Sequence, residues 1–177
     1  MRKYKRKLII SLSVLIFPWL TAPFIGTKSF VRFLPVATFA NLFIIVFTVI
    51  ANQKKWFRNN NPLFPKAPID FTYILGPHLI GTLWIFKLTY GSFLKYILAN
   101  TVLDWFNIFP FGGALKKVGI FKMKKMSPSM YWGMTTVLAV VLYGYQYIVE
   151  KVIRQTNDSQ SRLQVLKATI QKGSSNS

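Results

Sequence analysis

Apolar residues in this chain come in long blocks, separated by short polar segments rich in lysine and arginine. Leu8 to Ile25 carries no charge, and neither does Phe33 to Gln53. A helix on the surface of a soluble protein keeps a polar face toward water; these blocks keep none. Each is long enough to cross roughly 30 Å of hydrocarbon at about 1.5 Å per residue. Three more blocks follow, Phe71 to Phe86, Ser92 to Phe111 and Ser129 to Val149. The pattern predicts an all-α integral membrane bundle in residues 1–149, with about five transmembrane helices and four as the alternative. The third block is short, and its flanks Ile69 and Leu88 extend it. Residues 150–177 form a polar C-terminal tail, predicted partly helical and then disordered.

Prolines punctuate the blocks at Pro18, Pro23, Pro35, Pro77 and Pro110. Each should kink or end its helix, which membrane helices tolerate when neighbours satisfy the freed carbonyls. The start of the chain, Met1 to Lys7 followed by Leu8 to Phe17 and Thr21-Ala22, imitates a cleavable signal peptide. Pro23 stands just after the cleavage point and obstructs it, so the segment is read as an uncleaved first span. Tyr131 and Trp132 open the last span and Tyr143, Tyr145 and Tyr147 close it, an arrangement suited to an interfacial belt and equally to helix packing.

Charge changes the picture by giving the spans a direction. The chain carries 23 Lys and Arg against 4 Asp and Glu, a formal net charge of +19. On a soluble surface that balance would suggest a nucleic acid partner. Here the cations sit between apolar blocks, where they meet anionic headgroups and orient insertion. The expected partner is therefore a lipid bilayer with anionic headgroups, together with a membrane protein or a second copy of the chain, and no nucleic acid.

The N-terminus holds five cations (Arg2, Lys3, Lys5, Arg6, Lys7), the second loop four (Lys54, Lys55, Arg58, Lys66) and the fourth loop five (Lys116, Lys117, Lys122, Lys124, Lys125). The first loop has two (Lys28, Arg32), as does the third (Lys87, Lys95). The alternation predicts a cytoplasmic N-terminus in the cytoplasmic membrane. The tail cations Lys151, Arg154, Arg162, Lys167 and Lys172 then fall outside. If the fourth block fails to cross, tail and fourth loop exchange sides and the totals stay at 14 inside and 9 outside. Charge alone leaves the side of the tail open. Asp104 adds to the ambiguity, since it costs about 2.5–3.5 kcal/mol near a helix centre while each Leu, Ile, Phe or Val returns about 0.3–0.6.

The fourth block also carries the most distinctive polar pattern. Tyr96, Asn100, Asp104 and Asn107 recur at helical spacing and form one stripe, with Leu98, Val102, Phe106 and Phe109 lying off it. Lipid offers such groups no hydrogen bonds, so the stripe should face other helices or a watery cavity. His78, after Gly76-Pro77, and Asn41 lie near the middles of the third and second blocks, which makes them its expected partners. His78 is expected within reach of Asp104. One reading is a buried acid and imidazole that relay protons or bind a cation; the other is polar glue between helices. Asp70, directly before the third block, is expected to cap its N-terminus. Lys87 and Lys95 sit near span ends, where long side chains reach headgroups.

The search for catalysis is negative. There are no cysteines, and one histidine with four acids (Asp70, Asp104, Glu150, Asp158) supplies no zinc-protease motif. No nucleophile elbow, phosphate-binding loop or dinucleotide fingerprint occurs. The Asn157-Asp158-Ser159 triplet is too short a pattern to carry a role. No enzyme activity, metal or cofactor is expected. Neither internal repeats nor paired interrupted helices point to a transporter fold.

Pro62-Leu63-Phe64-Pro65-Lys66, Asp70-Phe71-Thr72-Tyr73 with Pro77 inside the helix, and Asp104-Trp105 in the next span together resemble a set of small multi-pass membrane proteins of Bacillus-like Gram-positive bacteria. The resemblance covers Asn61 to Val149. It implies a small helical protein of the cytoplasmic membrane and brings no activity. The sequence thus leads to a non-enzymatic accessory or interaction subunit. A small channel or proton- or cation-coupled carrier is the second reading, and a lipid-active enzyme the third.

Overall fold

The computed structural model describes residues 2–59, 63, 70–119, 121–123 and 126–174. It is built almost entirely of helices and divides into two units, Met1–Leu142 and Tyr143–Ser177. The first unit contains α1 (Arg2–Trp19), α2 (Ala22–Ile25), α3 (Thr27–Gln53), β1 (Phe57–Asn59), α4 (Phe71–Tyr73), α5 (Leu79–Thr89), α6 (Phe93–Phe106), α7 (Gly112–Val118), β2 (Phe121–Met123) and the start of α8 (Pro128–Ser174). Most of the resemblance motif Pro62–Lys66, and the flank Ile69, lie outside the described residues.

The prolines act in three different ways. Pro18 stands one residue before the end of α1, and Pro23 opens α2, where its missing N–H costs nothing. α3 continues as one 27-residue helix through Pro35. At Pro77 and Pro110 the chain widens into π-helical turns, Ile74–His78 and Asn107–Phe111. Such a turn takes up the proline ring without ending the helix. α4, the first π turn and α5 therefore form one helical run of 3, 5 and 11 residues, a rise of roughly 28 Å. α6, the second π turn and α7 run on likewise to Val118, past the expected end of the fourth block at Phe111.

Among the described residues, three helical segments are long and apolar enough to cross a membrane by length and composition: Tyr4–Ile25, which includes the turn between α1 and α2, Thr27–Gln53 and Pro128–Gln164. The third and fourth blocks are helical as expected, each with a π turn inside its run.

α3 is the central element. Its buried residues Phe33, Val36, Ala37, Ala40, Asn41, Ile44, Phe47, Thr48 and Ala51 fall on one face at three- and four-residue spacing. Three are alanines, which let α5 approach closely. Val31, Leu34, Leu42, Phe43, Val46 and Ile50 on the same helix are exposed. Phe33, Phe86, Tyr90 and Tyr96 make a tilted aromatic chain between α3, α5 and α6. α1 crosses the first π turn at Gly76, where a side chain would meet the Val14 carbonyl.

The first unit's two ends are tied separately. At one, Lys7 Nζ donates to Gly119 O at 3.0 Å, and β1 pairs antiparallel with β2 in the register Phe57–Met123, Arg58–Lys122 and Asn59–Phe121. This ribbon, three residues a side, is a local pairing of two connecting segments within an all-helical fold. It arises because the second and fourth loops meet there and satisfy each other's backbone. At the other end Lys87 Nζ donates to Phe24 O and lies over the Trp84 ring, and Arg32 lies over Phe33 and Tyr90.

The second unit is helical to Ser174, so helix continues beyond the expected span end at Val149. Within it Gln146 Nε2 donates to Glu150 Oε1 at 3.2 Å, and Glu150 pairs with Arg154 at 3.5 Å. Arg154 is largely exposed, so the ion pair contributes little. Tyr147, Val152 and Leu163 are exposed. The extreme end, 175–177, where disorder was expected, lies outside the described residues.

Candidate functional site

The polar groups of the third and fourth blocks meet at a cavity of about 40 Å³ inside the first unit. That volume is enough for two or three waters at about 10–15 Å³ each. His78 and Thr82 border it from the third block, Asn100, Asp104 and Asn107 from the fourth, and Tyr131 and Thr135 from α8. The stripe lies where its helical spacing requires. Residues 100, 104 and 107 share a face, and packing of α6 beside α5 turns that face inward.

The carboxylate of Asp104 accepts from Asn100 Nδ2 at 3.1 Å, one turn earlier. The Thr135 hydroxyl is also within reach of Asp104. It lies 2.9 Å from Trp132 O as well, and having one proton it donates to one of the two at a time. Asn107 Nδ2 turns back to donate to Leu103 O, the carbonyl four residues before it. Leu103 O also accepts the backbone N–H of Asn107, so the side chain adds a second hydrogen bond to a carbonyl that is already paired.

His78 bonds elsewhere. Its Nδ1 lies 2.7 Å from Asn41 Oδ1 on α3. With the amide oxygen as acceptor, Nδ1 carries the proton and Nε2 is left as an acceptor. Thr82 Oγ1 donates to His78 O at 2.7 Å. His78 and Asp104 therefore border one cavity, and their hydrogen bonds run to different partners, His78 to Asn41 and Asp104 to Asn100. The reason is reach: α3 lies against α5 and offers an amide at the depth of His78.

Two other expected residues fall elsewhere. Tyr96 is fully buried, but its ring packs 4.8 Å from Phe86 rather than in the cavity lining. Asp70 accepts from Tyr73 N at 3.2 Å, an N-cap hydrogen bond at the start of α4. Sequence reasoning passed over Tyr73, Thr82, Tyr131 and Thr135 in the lining. Tyr131 had been assigned to an interfacial belt or to packing; it stacks on Phe47 at 5.8 Å, and Trp132 Nε1 donates to Thr101 O at 3.1 Å. The signal that would have found Thr82 is its four-residue spacing from His78.

Among the described residues no group of three or more His, Asp or Glu side chains is placed to hold a metal ion. The class defined so far is a helical chain with, among the described residues, three apolar helical segments compatible with a transmembrane protein and a small polar chamber among its helices. No family model, curated protein or solved structure matches it.

Proposed function

We propose that this chain is a multi-pass integral protein of the cytoplasmic membrane with five spans and a cytoplasmic N-terminus, acting without catalysis as an accessory or interaction subunit. The observation that carries the reading is the disposition of polar and apolar groups. Asn41, His78, Asn100 and Asp104 bond to one another in pairs inside the bundle, while Ile9, Phe17, Leu42, Val46, Leu98 and Val102 are exposed. Such an exterior suits lipid tails or another membrane helix.

Five spans are supported by the ends of the first unit. The β1–β2 pairing and the Lys7–Gly119 hydrogen bond need the N-terminus, second loop and fourth loop on one side. A fourth block that failed to cross would put the second and fourth loops on opposite sides. With five spans the tail is extracytoplasmic. The subunit role is tested by cross-linking the full chain in native membranes and purifying it in mild detergent. A chain recovered consistently as an isolated monomer would remove that role.

The cavity favours a second reading, a site for a proton or small cation. An acid, an imidazole and two or three waters' worth of space lie together in an otherwise apolar bundle. Asp104→Asn keeps the shape and the Asn100 neighbour but removes the charge. It should abolish proton or cation flux in liposomes and leave assembly intact; unchanged flux would eliminate this reading.

A further inference from the structure

The chain carries 23 lysines and arginines against 4 acids, yet its chamber reverses that balance. Among the described residues the lining holds one carboxylic acid, Asp104, and no lysine or arginine. Its one base is His78, whose hydrogen bond runs to Asn41. A carboxylate in an apolar surround is costly unless a positive charge neutralises it. With no lysine or arginine bordering Asp104, the neutralising species comes from outside the chain, as a proton or as a cation.

The hydrogen bonds around the chamber spend donors and leave acceptors. Asn100 Nδ2 donates to Asp104 Oδ2, Asn107 Nδ2 to Leu103 O, and Thr82 Oγ1 to His78 O. Thr135 Oγ1 has its one proton committed to Trp132 O or to Asp104. Each of these side chains keeps oxygen lone pairs, and oxygen is the ligand that hard cations take. One carboxylate among neutral oxygens balances a single positive charge. A divalent cation would bury one unbalanced charge, and among the described residues no group of three or more His, Asp or Glu is placed to hold it. The volume of about 40 Å³, room for two or three waters, takes one monovalent ion and its remaining water.

We propose that the chamber binds one alkali-metal cation at Asp104, in exclusive competition with a proton. The inference rests on the second reading above and adds to it the ion class and the competing species. Ion binding sends the carboxyl proton of Asp104 to solvent; protonation of the carboxylate removes the charge that holds the ion and expels it. The titratable groups around Asp104 are His78 and Tyr73 in the third block, Tyr96 on α6 itself and Tyr131 on α8, while α3 contributes Ile44. A phenol keeps its proton near neutral pH, which leaves Asp104 and His78 as the groups to tell apart.

The test is binding of radioactive Na+ to the purified full chain in mild detergent, measured across pH and against Mg2+ and choline. A single Na+ should bind per chain. At pH values where Asp104 is protonated in the ion-free protein, apparent affinity should fall about tenfold for each unit drop in pH, the signature of one proton displaced by one ion. In weakly buffered solution at such a pH, sodium chloride should release protons, up to one per chain, and choline chloride should release none. Mg2+ at equal concentration should leave Na+ bound. Asp104→Asn should abolish both binding and proton release, whereas His78→Gln should keep the pH dependence.

Absence of saturable Na+ binding, displacement of Na+ by equimolar Mg2+, or loss of the pH dependence in His78→Gln would overturn the proposal, the last by moving the proton to the imidazole. Stoichiometry and proton release are read on the parent chain, so a variant that fails to fold leaves the proposal decidable. Flux in liposomes separates the two levels of inference. Na+ binding without flux supports the site and excludes transport, whereas proton flux that Asp104→Asn abolishes, with no Na+ bound, keeps the proton form of the second reading and refutes the cation site.

Discussion

Gly76→Ala tests the α1 crossing on which the packing of the third block depends. A Cβ built at Gly76 stands 2.6 Å from Val14 O, 3.1 Å from Leu15 Cα and 3.2 Å from Leu15 O. Ordinary contact begins at 3.4 Å, so α1 would have to retreat by about 0.8 Å from Val14 O. All three atoms are backbone, and no side-chain rotation relieves the clash. Overpacking of this kind costs about 1–3 kcal/mol, with the upper end expected where a whole helix must shift. Gly76 has right-handed helical backbone geometry, so alanine recovers up to about 1 kcal/mol of helix propensity. The net loss is about 2 kcal/mol.

Gly133→Ala is the control, because a Cβ there meets nothing within 4 Å and the helical gain stands alone. The two variants should differ by about 3 kcal/mol, or roughly 6–12 °C in melting temperature for a chain of this size. Thermal unfolding in one detergent, followed by tryptophan fluorescence, reads the difference. The Trp19 Nε1 to Leu75 O hydrogen bond at 2.8 Å, beside the crossing, should be lost in the first variant. Equal melting of the two variants would refute the close approach of α1.

The remaining predictions concern the polar interior and the topology. Asn41→Leu should lower stability by about 1–2 kcal/mol, because it strands the His78 ring N–H; adding His78→Phe should recover part of the loss, and a double-mutant cycle that adds without coupling would contradict the pairing. Trp132→Phe should cost about 0.6 kcal/mol in a detergent melt through loss of the hydrogen bond to Thr101 O, and no change would place the indole N–H elsewhere. Since the chain has no cysteine, single cysteines report sidedness without background. Lys55→Cys and Lys117→Cys should react with impermeant maleimide from one face of the membrane and Lys28→Cys and Gly91→Cys from the other; labelling of Lys55→Cys and Lys117→Cys from opposite faces would rule out five spans.

Much of the chamber was legible before any fold was known. Asn100, Asp104 and Asn107 stand one helical turn apart in an apolar block, and groups that lipid cannot satisfy must turn inward. What the spacing left open was the choice of partner. His78 and Asp104 look matched by chemistry and depth, yet His78 bonds Asn41 and Asp104 bonds Asn100. Partner choice depends on which helices are neighbours and on their rotation, and no local pattern encodes either. Tyr96 shows the same limit. It belongs to the stripe by spacing but packs on Phe86, because the face of α6 near its start meets α5 rather than the cavity.

The sequence by itself determined that the chain is helical, where its long apolar helices run and which termini and loops carry the cations, because these follow from local composition and from the length of the uncharged runs. Only the tertiary structure decided which face of each helix is inside, that the second and fourth loops join as a ribbon, and that Pro77 and Pro110 are absorbed in π turns. The physical reason is that an apolar interior and a hydrocarbon surround are alike to a leucine. Hydropathy therefore marks a span without marking its inner face, and small residues, polar pairs and close backbone crossings such as Gly76 on Val14 make that choice.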